Sequence, residues 1–491
     1  MKLFDPQFSA GDLWLLLPEL LLTGLLCLIL ILDFVAPRGD KRVLGHLSNL
    51  GLVVILGVLA WMALAGKSGL LFGGMYAIDP LALFFKAFVV ISTIFIIAIS
   101  IDHVQKLPMF RGEYYVLVLF TALGMLLMAS ANDLLTMFIT LEFSTFGFYI
   151  LVAYHRDDPT SSEAGLKLFI LGVFTASLIA FGISLIYGET GTMLFDEIRA
   201  RTHGMTTGLL VGFLLILSGL GFKIGAVPFH GWIPDTYQGA PTPITAFLSI
   251  APKAAALAVT LRFLHTAFGA DEESWVWLLV LFSMLSMTYG NLVAIAQTNI
   301  KRLMAYSGIA QIGNILIGLA AASKTGNDSV LFYLLTYMFA NLGAFAVIIA
   351  VSHRIGSDAI DDYSGLNRRS PLLAATMLIF LLSLAGVPPL AGFIGKLYVF
   401  VAAAQEELYA LVVIGLINIV ISMYYYMVVV KKIYVNEPKE RTPLDISPLM
   451  KTVIVTSAVA VVLLGIYPAP FLHIASTATQ LLTSVDIASI P

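Results

Sequence analysis

The segment Phe222–Trp232, FKIGAVPFHGW, places a lysine at the end of a long apolar run. The fourteen residues before Lys223, LLVGFLLILSGLGF, are apolar or small, and no acidic residue lies within ten positions on either side. Glycine, proline, histidine and tryptophan follow within nine residues. A cation in such a setting needs a specific reason, because an apolar environment strongly destabilises an isolated charge.

The composition identifies a membrane protein with many crossings. The chain has 491 residues, of which 59% are hydrophobic and 12% are charged, whereas soluble domains carry about 25% charged residues. The single cysteine, Cys27, excludes a disulfide framework and any cysteine-ligated metal or iron–sulfur site. The first apolar run lacks a small-residue cleavage site, which indicates a retained helix and not a removed signal peptide.

Apolar windows predict an all-α polytopic fold with about fourteen transmembrane helices. Strands of a membrane barrel would instead show ten-residue segments of alternating hydrophobicity. Helix breaks are expected near 223–232 and 386–396, where glycine and proline interrupt apolar segments. The predicted spans are 13–34, 43–65, 78–101, 113–130, 132–153, 163–187, 207–228, 242–267, 273–296, 302–322, 329–352, 371–402, 409–432 and 450–472.

Lysine and arginine in the connections predict the orientation. With the N-terminus outside, sixteen of these residues fall in inside segments and five in outside segments, as the positive-inside rule requires. An even number of crossings then places the C-terminus outside as well. No connection is longer than about twenty residues, which leaves no room for a soluble catalytic domain.

A small set of ionisable residues is predicted to lie at membrane depth, where each charge is costly and needs a reason. Lys86 and Arg262 lie near segment ends, so we expect them to snorkel to the headgroups. For Glu19 and Lys167 both an interfacial and an internal position are open. The complete set is Glu19, Lys86, Glu142, Lys167, Lys223, Lys253, Arg262 and Lys396.

Four members of this set do not fit an interfacial position. Glu142 lies in the middle of its span, Lys253 follows Pro252 deep in its segment, and Lys223 and Lys396 lie beside the predicted breaks. A buried ion pair that only fixes helix register is one explanation, and a proton relay is the other. Lysine suits a relay because desolvation lowers the pKa of an ammonium group from about 10.4, whereas arginine stays protonated.

Two glycine-rich stretches do not predict nucleotide binding. GLGFKIG (219–225) lies within a predicted membrane helix and follows no strand, so it does not match a dinucleotide loop. GFIGKL (392–397) lacks the upstream glycine and the Ser/Thr of a phosphate loop. The sequence also shows no flavin or haem motif.

Several long segments resemble the antiporter-like membrane subunits of respiratory complex I, a family that includes subunits of Mrp-type sodium/proton antiporters. Three features resemble the N-type branch of this family: the segment ITAFLSIAPKAA, the lysine at 396 and the end of the chain soon after the fourteenth span. The matching segments are FKIGAVPFHGWIPDTYQGAPTPITAFLSIAPKAA (222–256), LEFSTFGFYIL (141–151), EAGLKLFILGVFTASLIAFG (163–182), NIKRLMAYSGIAQIG (299–313) and GVPPLAGFIGKLYVF (386–400).

The resemblance implies fourteen helices with two inverted five-helix repeats in one membrane domain, 1–491. It implies N-terminal helices 1–3 at 1–112, a first repeat at 113–267, an inverted second repeat at 273–432, and a C-terminal helix and tail at 450–491. It also implies a proton pathway with no redox site in this chain. The implied pathway residues are Glu142, Lys167, Lys223, Lys253, His230 and Lys396.

The same resemblance implies that NAD, FMN, iron–sulfur clusters and quinone bind to other subunits of a proton-translocating NADH:quinone oxidoreductase. Expected partners are adjacent antiporter-like and small membrane subunits and membrane lipid, with no nucleic acid. The implied location is the bacterial inner membrane, with both termini periplasmic. The alternatives are a subunit of an Mrp-type antiporter or membrane hydrogenase and, in another class, an independent solute transporter.

Overall fold

The computed structural model describes residues 12–35, 40–107, 111–202, 204–269, 272–438 and 442–483. Within these ranges the chain is helical apart from one two-stranded antiparallel sheet and short connections. Both termini, which the charge pattern assigns to the outside, lie beyond the described residues. The same is true of four cations used for the orientation: Lys2, Arg38, Lys439 and Arg441.

The first half of the described chain contains the two strands and the first eleven helices. These elements are α1 (Asp12–Leu15), α2 (Leu17–Val35), α3 (Arg42–Leu64), β1 (Gly69–Leu71), β2 (Tyr76–Ile78), α4 (Pro80–Val104), α5 (Arg111–Ala129), α6 (Leu134–Val152), α7 (Pro159–Thr190), α8 (Phe195–Arg201), α9 (Thr207–Ile224), α10 (Ile233–Gly239) and α11 (Thr242–Arg262).

The second half is helical throughout and follows a π-helical turn at Phe263–Ala267. Its elements are α12 (Glu272–Ile295), α13 (Ile300–Ala320), α14 (Lys324–Ile355), α15 (Leu366–Arg369), α16 (Pro371–Ala385), α17 (Ala391–Gln405), α18 (Tyr409–Tyr434), α19 (Pro448–Ile466) and α20 (Ala469–Thr483).

Thirteen helices of the described chain are long and apolar enough to cross a membrane. α16 and α17 have 15 residues each, which is too short for a separate crossing by either helix. Beside the thirteen candidate spans they form one interrupted apolar segment, and the all-α polytopic fold, predicted with about fourteen transmembrane helices, is confirmed. The two inverted repeats stay a prediction.

A strand hairpin and a C-terminal helix are among the elements that hydropathy did not predict. The connection between α3 and α4 folds into a hairpin in which Gly69 pairs with Ile78 and Leu71 with Tyr76. After α19 the chain continues into α20, which packs against α4 and α14. Hydropathy windows miss both elements because a three-residue strand and a 15-residue helix are shorter than a membrane span.

Both predicted helix breaks are present, and each begins at a glycine with positive φ. Gly225 ends α9 with φ 81°, and its N–H donates to the carbonyls of Gly221 and Phe222. Gly386 ends α16 with φ 89° and donates to Leu382 and Ser383 in the same manner. Glycine adopts this left-handed conformation without the Cβ clash that other residues suffer.

Three helices occupy the interior of the bundle. α11, α13 and α14 are buried on nearly all sides, whereas α2, α3, α7 and α18 expose much of their apolar surface to the surroundings. A helix that is apolar all round is expected at such interior positions. Any charge on α11 is therefore enclosed by protein and cannot reach a headgroup.

The snorkelling prediction for Lys86 and Arg262 is wrong. Both side chains are buried, and Lys86 Nζ lies 2.6 Å from Glu19 Oε1. Arg262 donates two hydrogen bonds to the Asp79 carboxylate, at 2.7 and 3.0 Å. Glu19 is buried too and accepts a hydrogen bond from the Tyr76 hydroxyl at 2.9 Å. The prediction failed because protein surrounds both side chains, since α4 and α11 are each mostly buried within the bundle.

We expect Arg262→Ala to destabilise the fold strongly. The substitution leaves the buried Asp79 carboxylate unpaired, which costs about 3–5 kcal/mol of unfolding free energy. Denaturant or thermal unfolding of the detergent-solubilised protein measures the loss.

Arg201→Ala is the matched control, because Arg201 pairs with Glu197 at an exposed surface and such pairs contribute little. The double variant Arg262→Met with Asp79→Leu removes both charges and is expected to recover most of the lost stability. Equal stability of wild type and Arg262→Ala would contradict the anchoring role of the pair.

Candidate functional site

The predicted Glu142–Lys223 pair forms between α6 and α9. Lys223 Nζ lies 3.2 Å from Glu142 Oε1 and donates to Thr145 Oγ1 at 2.7 Å. The Lys223 side chain is 10% exposed and that of Glu142 is 27% exposed. The carboxylate therefore reaches the side of the bundle while it holds a nearly buried ammonium group.

A small internal cavity extends from Lys223 toward α11. Its volume is about 30 Å³, and its walls include Thr145, Lys223, Leu248 and Pro252. Pro252 has no N–H, so the Leu248 carbonyl one turn earlier lacks its helical donor. A cavity of roughly 10–15 Å³ holds one water molecule. The cavity therefore has room for water between Lys223 and the turn of α11 that precedes Lys253, and most of its lining is apolar.

Lys253 has no hydrogen-bond partner among the described residues. Its side chain is buried at 1% exposure, and its Nζ is without an acceptor within hydrogen-bonding distance. The ring of Tyr237 lies 5.8 Å from Nζ and supplies a cation–π contact. This lysine thus has no carboxylate to hold it in the charged form.

Lys396 reaches back across the break between α16 and α17. Its Nζ donates to the carbonyl oxygens of Leu384 at 2.9 Å and Ala385 at 3.0 Å. These carbonyls lie in the last turn of α16, where helical donors are missing. The helix break therefore creates the acceptors that hold Lys396.

Lys167 lies in a charged cluster at the side of the bundle and not in its interior. Its side chain is 44% exposed, and its Nζ lies 2.7 Å from Glu163 and 2.8 Å from Asp235. Asp235 also accepts a hydrogen bond from Arg302 at 2.8 Å. The cluster joins α7, α10 and α13 and leaves Lys167 the most exposed of the predicted lysines.

His230 lies in the break after α9 but does not line the cavity beside Lys223. Its ring packs against Tyr289 of α12 with centroids 4.5 Å apart, and its Nδ1 has no hydrogen-bond partner in the described chain. The structure therefore brings Glu142 and Lys223 into direct contact and places His230 apart from them.

Sequence reasoning missed several polar residues beside the lysines. Thr145 and Asp235 bond directly to Lys223 and Lys167. Gln311 lies on α13, the most buried span, and an amide in such a helix is the one signal that could have indicated it. Tyr337 of α14, which lines a small cavity together with Gln311, shows no comparable signal, because tyrosine is common in apolar helices.

These observations define a class of protein: a polytopic helical membrane protein with single buried lysines on interior and interrupted helices. Interrupted helices that expose backbone groups at membrane depth are typical of ion and proton transporters. In the described residues no group of three or more histidine, cysteine or carboxylate side chains is placed to hold a metal ion.

The chain belongs to the NADH:quinone oxidoreductase/Mrp antiporter transmembrane family, whose profile matches residues 131–422. It is 44% identical to the NADH-quinone oxidoreductase subunit N of Desulforamulus reducens, over 92% of this chain and 94% of the relative. It is 42% identical to the NAD(P)H-quinone oxidoreductase subunit 2 of a Synechocystis species, over 88% of this chain and 84% of the relative.

Two solved structures share the fold of this chain. A chain of respiratory complex I from Thermus thermophilus with bound aureothin aligns with a TM-score of 0.81 and 33% identity, over 94% of this chain and 99% of that chain. A chain of the Mrp complex from a Dietzia species aligns with a TM-score of 0.87 at 21% identity, over 96% and 97%. The second likeness shows the shared fold alone.

Proposed function

We propose that this chain is the proton-translocating, antiporter-like membrane subunit of an NADH:quinone oxidoreductase. The observation that carries the proposal is the set of three nearly buried lysines, Lys223, Lys253 and Lys396, each beside a helix break or a proline. Relatives at 41–44% identity named as subunits of NADH- or NAD(P)H-quinone oxidoreductases support it.

The proposed pathway begins at the Glu142–Lys223 pair. While the carboxylate lies 3.2 Å from Nζ, it stabilises the ammonium form of Lys223. When Glu142 moves away, this stabilisation is lost and the lysine releases its proton toward the cavity beside Pro252. The partial exposure of Glu142 leaves room for such a movement. Lys223 therefore acts as a carrier that Glu142 loads and unloads.

Lys253 and Lys396 are the proposed second and third carriers. Neither has a carboxylate within ion-pair distance in the described chain, so the structure leaves their charge uncompensated. A carrier held only by carbonyl oxygens or a ring face exchanges its proton without breaking a salt bridge. Lys167 and Glu163 at the side of the bundle, and His230 in the first break, are the proposed contacts between the pathway and its surroundings.

Electron transfer belongs to other subunits in this proposal. NAD, FMN, iron–sulfur clusters and quinone are assigned to those subunits, and this chain contributes proton movement alone. Neighbouring antiporter-like and small membrane subunits and membrane lipid are the proposed partners. We assign the chain to the bacterial inner membrane with both termini periplasmic, on the basis of the lysine and arginine distribution.

Mass spectrometry of the gently solubilised native complex tests the assignment. We expect this chain to co-purify with the NADH-oxidising and quinone-reducing subunits. Co-purification with antiporter subunits only would support an Mrp-type complex, and recovery of the chain alone with solute transport in liposomes would support an independent transporter.

Lys223→Ala is expected to leave the complex assembled and to lower proton pumping about tenfold or more, because positioned proton-transfer groups commonly contribute on the order of a hundredfold. Lys223→Arg should also impair pumping, since arginine retains its proton. NADH-driven acidification of inverted membrane vesicles measures both. Wild-type pumping by the assembled Lys223→Arg complex would indicate a structural cation.

Glu142→Gln is expected to lower pumping, because the neutral amide no longer loads Lys223. Glu142→Asp keeps the charge with a shorter reach and should fall between wild type and Glu142→Gln. The double variant Glu142→Gln with Lys223→Ala should pump no worse than Lys223→Ala alone, since coupled sites are not additive. The same vesicle assay measures all four, and fully additive losses would show that the two residues act independently.

A further inference from the structure

The proposed carriers Lys253 and Lys396 lie on different helices and share no hydrogen bond in the described chain. Lys253 is on α11 and Lys396 is on α17. α14 packs against both of these helices. Side chains of α14, together with those of α13 beside it, are therefore candidates to connect the two lysines.

Lys253 and the Tyr337 hydroxyl face one small space beside Gly308. A Cβ atom added to Gly308 of α13 would lie 3.2 Å from the Tyr337 hydroxyl oxygen and 3.4 Å from Lys253 Nζ. Both atoms are buried, and both lack a hydrogen-bond partner among the described residues. Buried polar atoms are rarely left unpaired, so two of them beside a glycine indicate a shared polar ligand of about the size of a water molecule.

Tyr337 also lines a second small cavity that borders Leu384, a residue whose carbonyl binds Lys396. This cavity has a volume of about 10 Å³ and is bordered by Tyr337, Gln311, Tyr333 and Leu384, among others. The Leu384 carbonyl accepts hydrogen bonds from Lys396 at 2.9 Å and from Gln311 Nε2 at 3.0 Å. Tyr337 therefore borders the space beside Lys253 on one side and the carbonyl that holds Lys396 on the other.

Gln311 forms hydrogen bonds at the Lys396 end of this connection. Its Nε2 donates to the Leu384 carbonyl, and its Oε1 accepts a hydrogen bond from the Tyr333 hydroxyl. An amide offers both a donor and an acceptor, and here both are used. Gln311 thus positions the end of α16 against Tyr333 and Tyr337 of α14, and we treat it as a positioning residue.

We propose that Tyr337 relays protons between Lys253 and Lys396 through two water molecules, the first of them bound beside Gly308. This inference rests on the proposed function and adds the residue that joins two of its carriers. The Lys253 ammonium gives a proton to the first water, and this water gives one to the Tyr337 oxygen. Tyr337 passes its own hydroxyl proton to a second water molecule in the cavity that borders Leu384, and that water passes a proton to neutral Lys396. Lys253 ends neutral, Lys396 ends charged, and no bond other than O–H and N–H changes.

Gly308 provides a test that separates this relay from a merely structural role. In Gly308→Ala the new methyl carbon lies 3.2 Å from the Tyr337 hydroxyl oxygen and 3.4 Å from Lys253 Nζ, so it enters the space between them if the Tyr337 ring shifts by a few tenths of an ångström. Alanine in a helix is more stable than glycine by roughly 0.8–1.0 kcal/mol. A structural role therefore predicts unchanged or higher thermal stability with normal pumping, whereas the relay predicts lost pumping.

The experiment measures NADH-driven proton pumping and thermal stability of the intact complex carrying Tyr337→Phe, Gly308→Ala, Gly308→Ser or Lys253→Ala. We expect Tyr337→Phe and Gly308→Ala to lower pumping about tenfold with assembly and stability retained. Gly308→Ser should recover part of the loss, because its hydroxyl takes the position of the water. Tyr115→Phe is the matched control, since the Tyr115 hydroxyl is equally buried and without a hydrogen-bond partner on α5.

The results of these variants distinguish failure of the Tyr337 relay from failure of the proposed lysine pathway. Normal pumping by Tyr337→Phe alongside lost pumping by Lys253→Ala overturns the relay and leaves the proposed function in place. Normal pumping by Lys253→Ala overturns the lysine pathway itself and the relay with it. Equal losses in Tyr115→Phe and Tyr337→Phe, or a Gly308→Ser complex no better than Gly308→Ala, also overturn the relay.

Discussion

The cost of a positive charge in an apolar bundle is the constraint on which this structure depends. Insertion of a lysine at the centre of a membrane helix costs roughly 2.5–3.5 kcal/mol, so each buried ammonium group needs polar contacts within the protein. Continuous helices use their backbone groups internally and have none to offer. In the second break Lys396 obtains these contacts from the freed carbonyls of α16, whereas Lys223 beside the first break obtains them from Glu142 and Thr145 of α6.

The buried cations fall into two groups according to how completely they are compensated. Arg262 and Lys86 have carboxylate partners at 2.6–3.0 Å, and these pairs join the N-terminal helices to the interior. Lys253 and Lys396 have no carboxylate partner among the described residues, and Lys223 has one that reaches the side of the bundle. Tight compensation suits an anchor, because breaking the pair is costly. Incomplete compensation suits a carrier, because the proton leaves without the loss of a strong ion pair.

The candidate site was largely predictable where charge and hydrophobicity conflict. Glu142, Lys223, Lys253 and Lys396 are conspicuous because each interrupts an apolar segment far from its ends. Tyr337, Gln311 and Thr145 were not predictable, since neutral polar side chains are inexpensive in a helix and gain meaning only from the neighbours that tertiary packing supplies. The error on Lys86 and Arg262 has the same origin, because hydropathy reports the apolar character of a helix and not whether lipid or protein surrounds it.

The sequence by itself determined the approximate number of candidate spans, the all-helical fold and the positions of the two helix breaks. These properties follow from the length of apolar runs and from the backbone preferences of glycine and proline, which act within one or two turns. Only the tertiary structure decided which buried cations are paired with a carboxylate and which described ones have no carboxylate partner. Arg262 and Asp79 lie 183 positions apart, and Lys223 and Glu142 lie 81 apart. Contacts over such separations depend on which helices pack side by side, and local sequence preferences do not encode that arrangement.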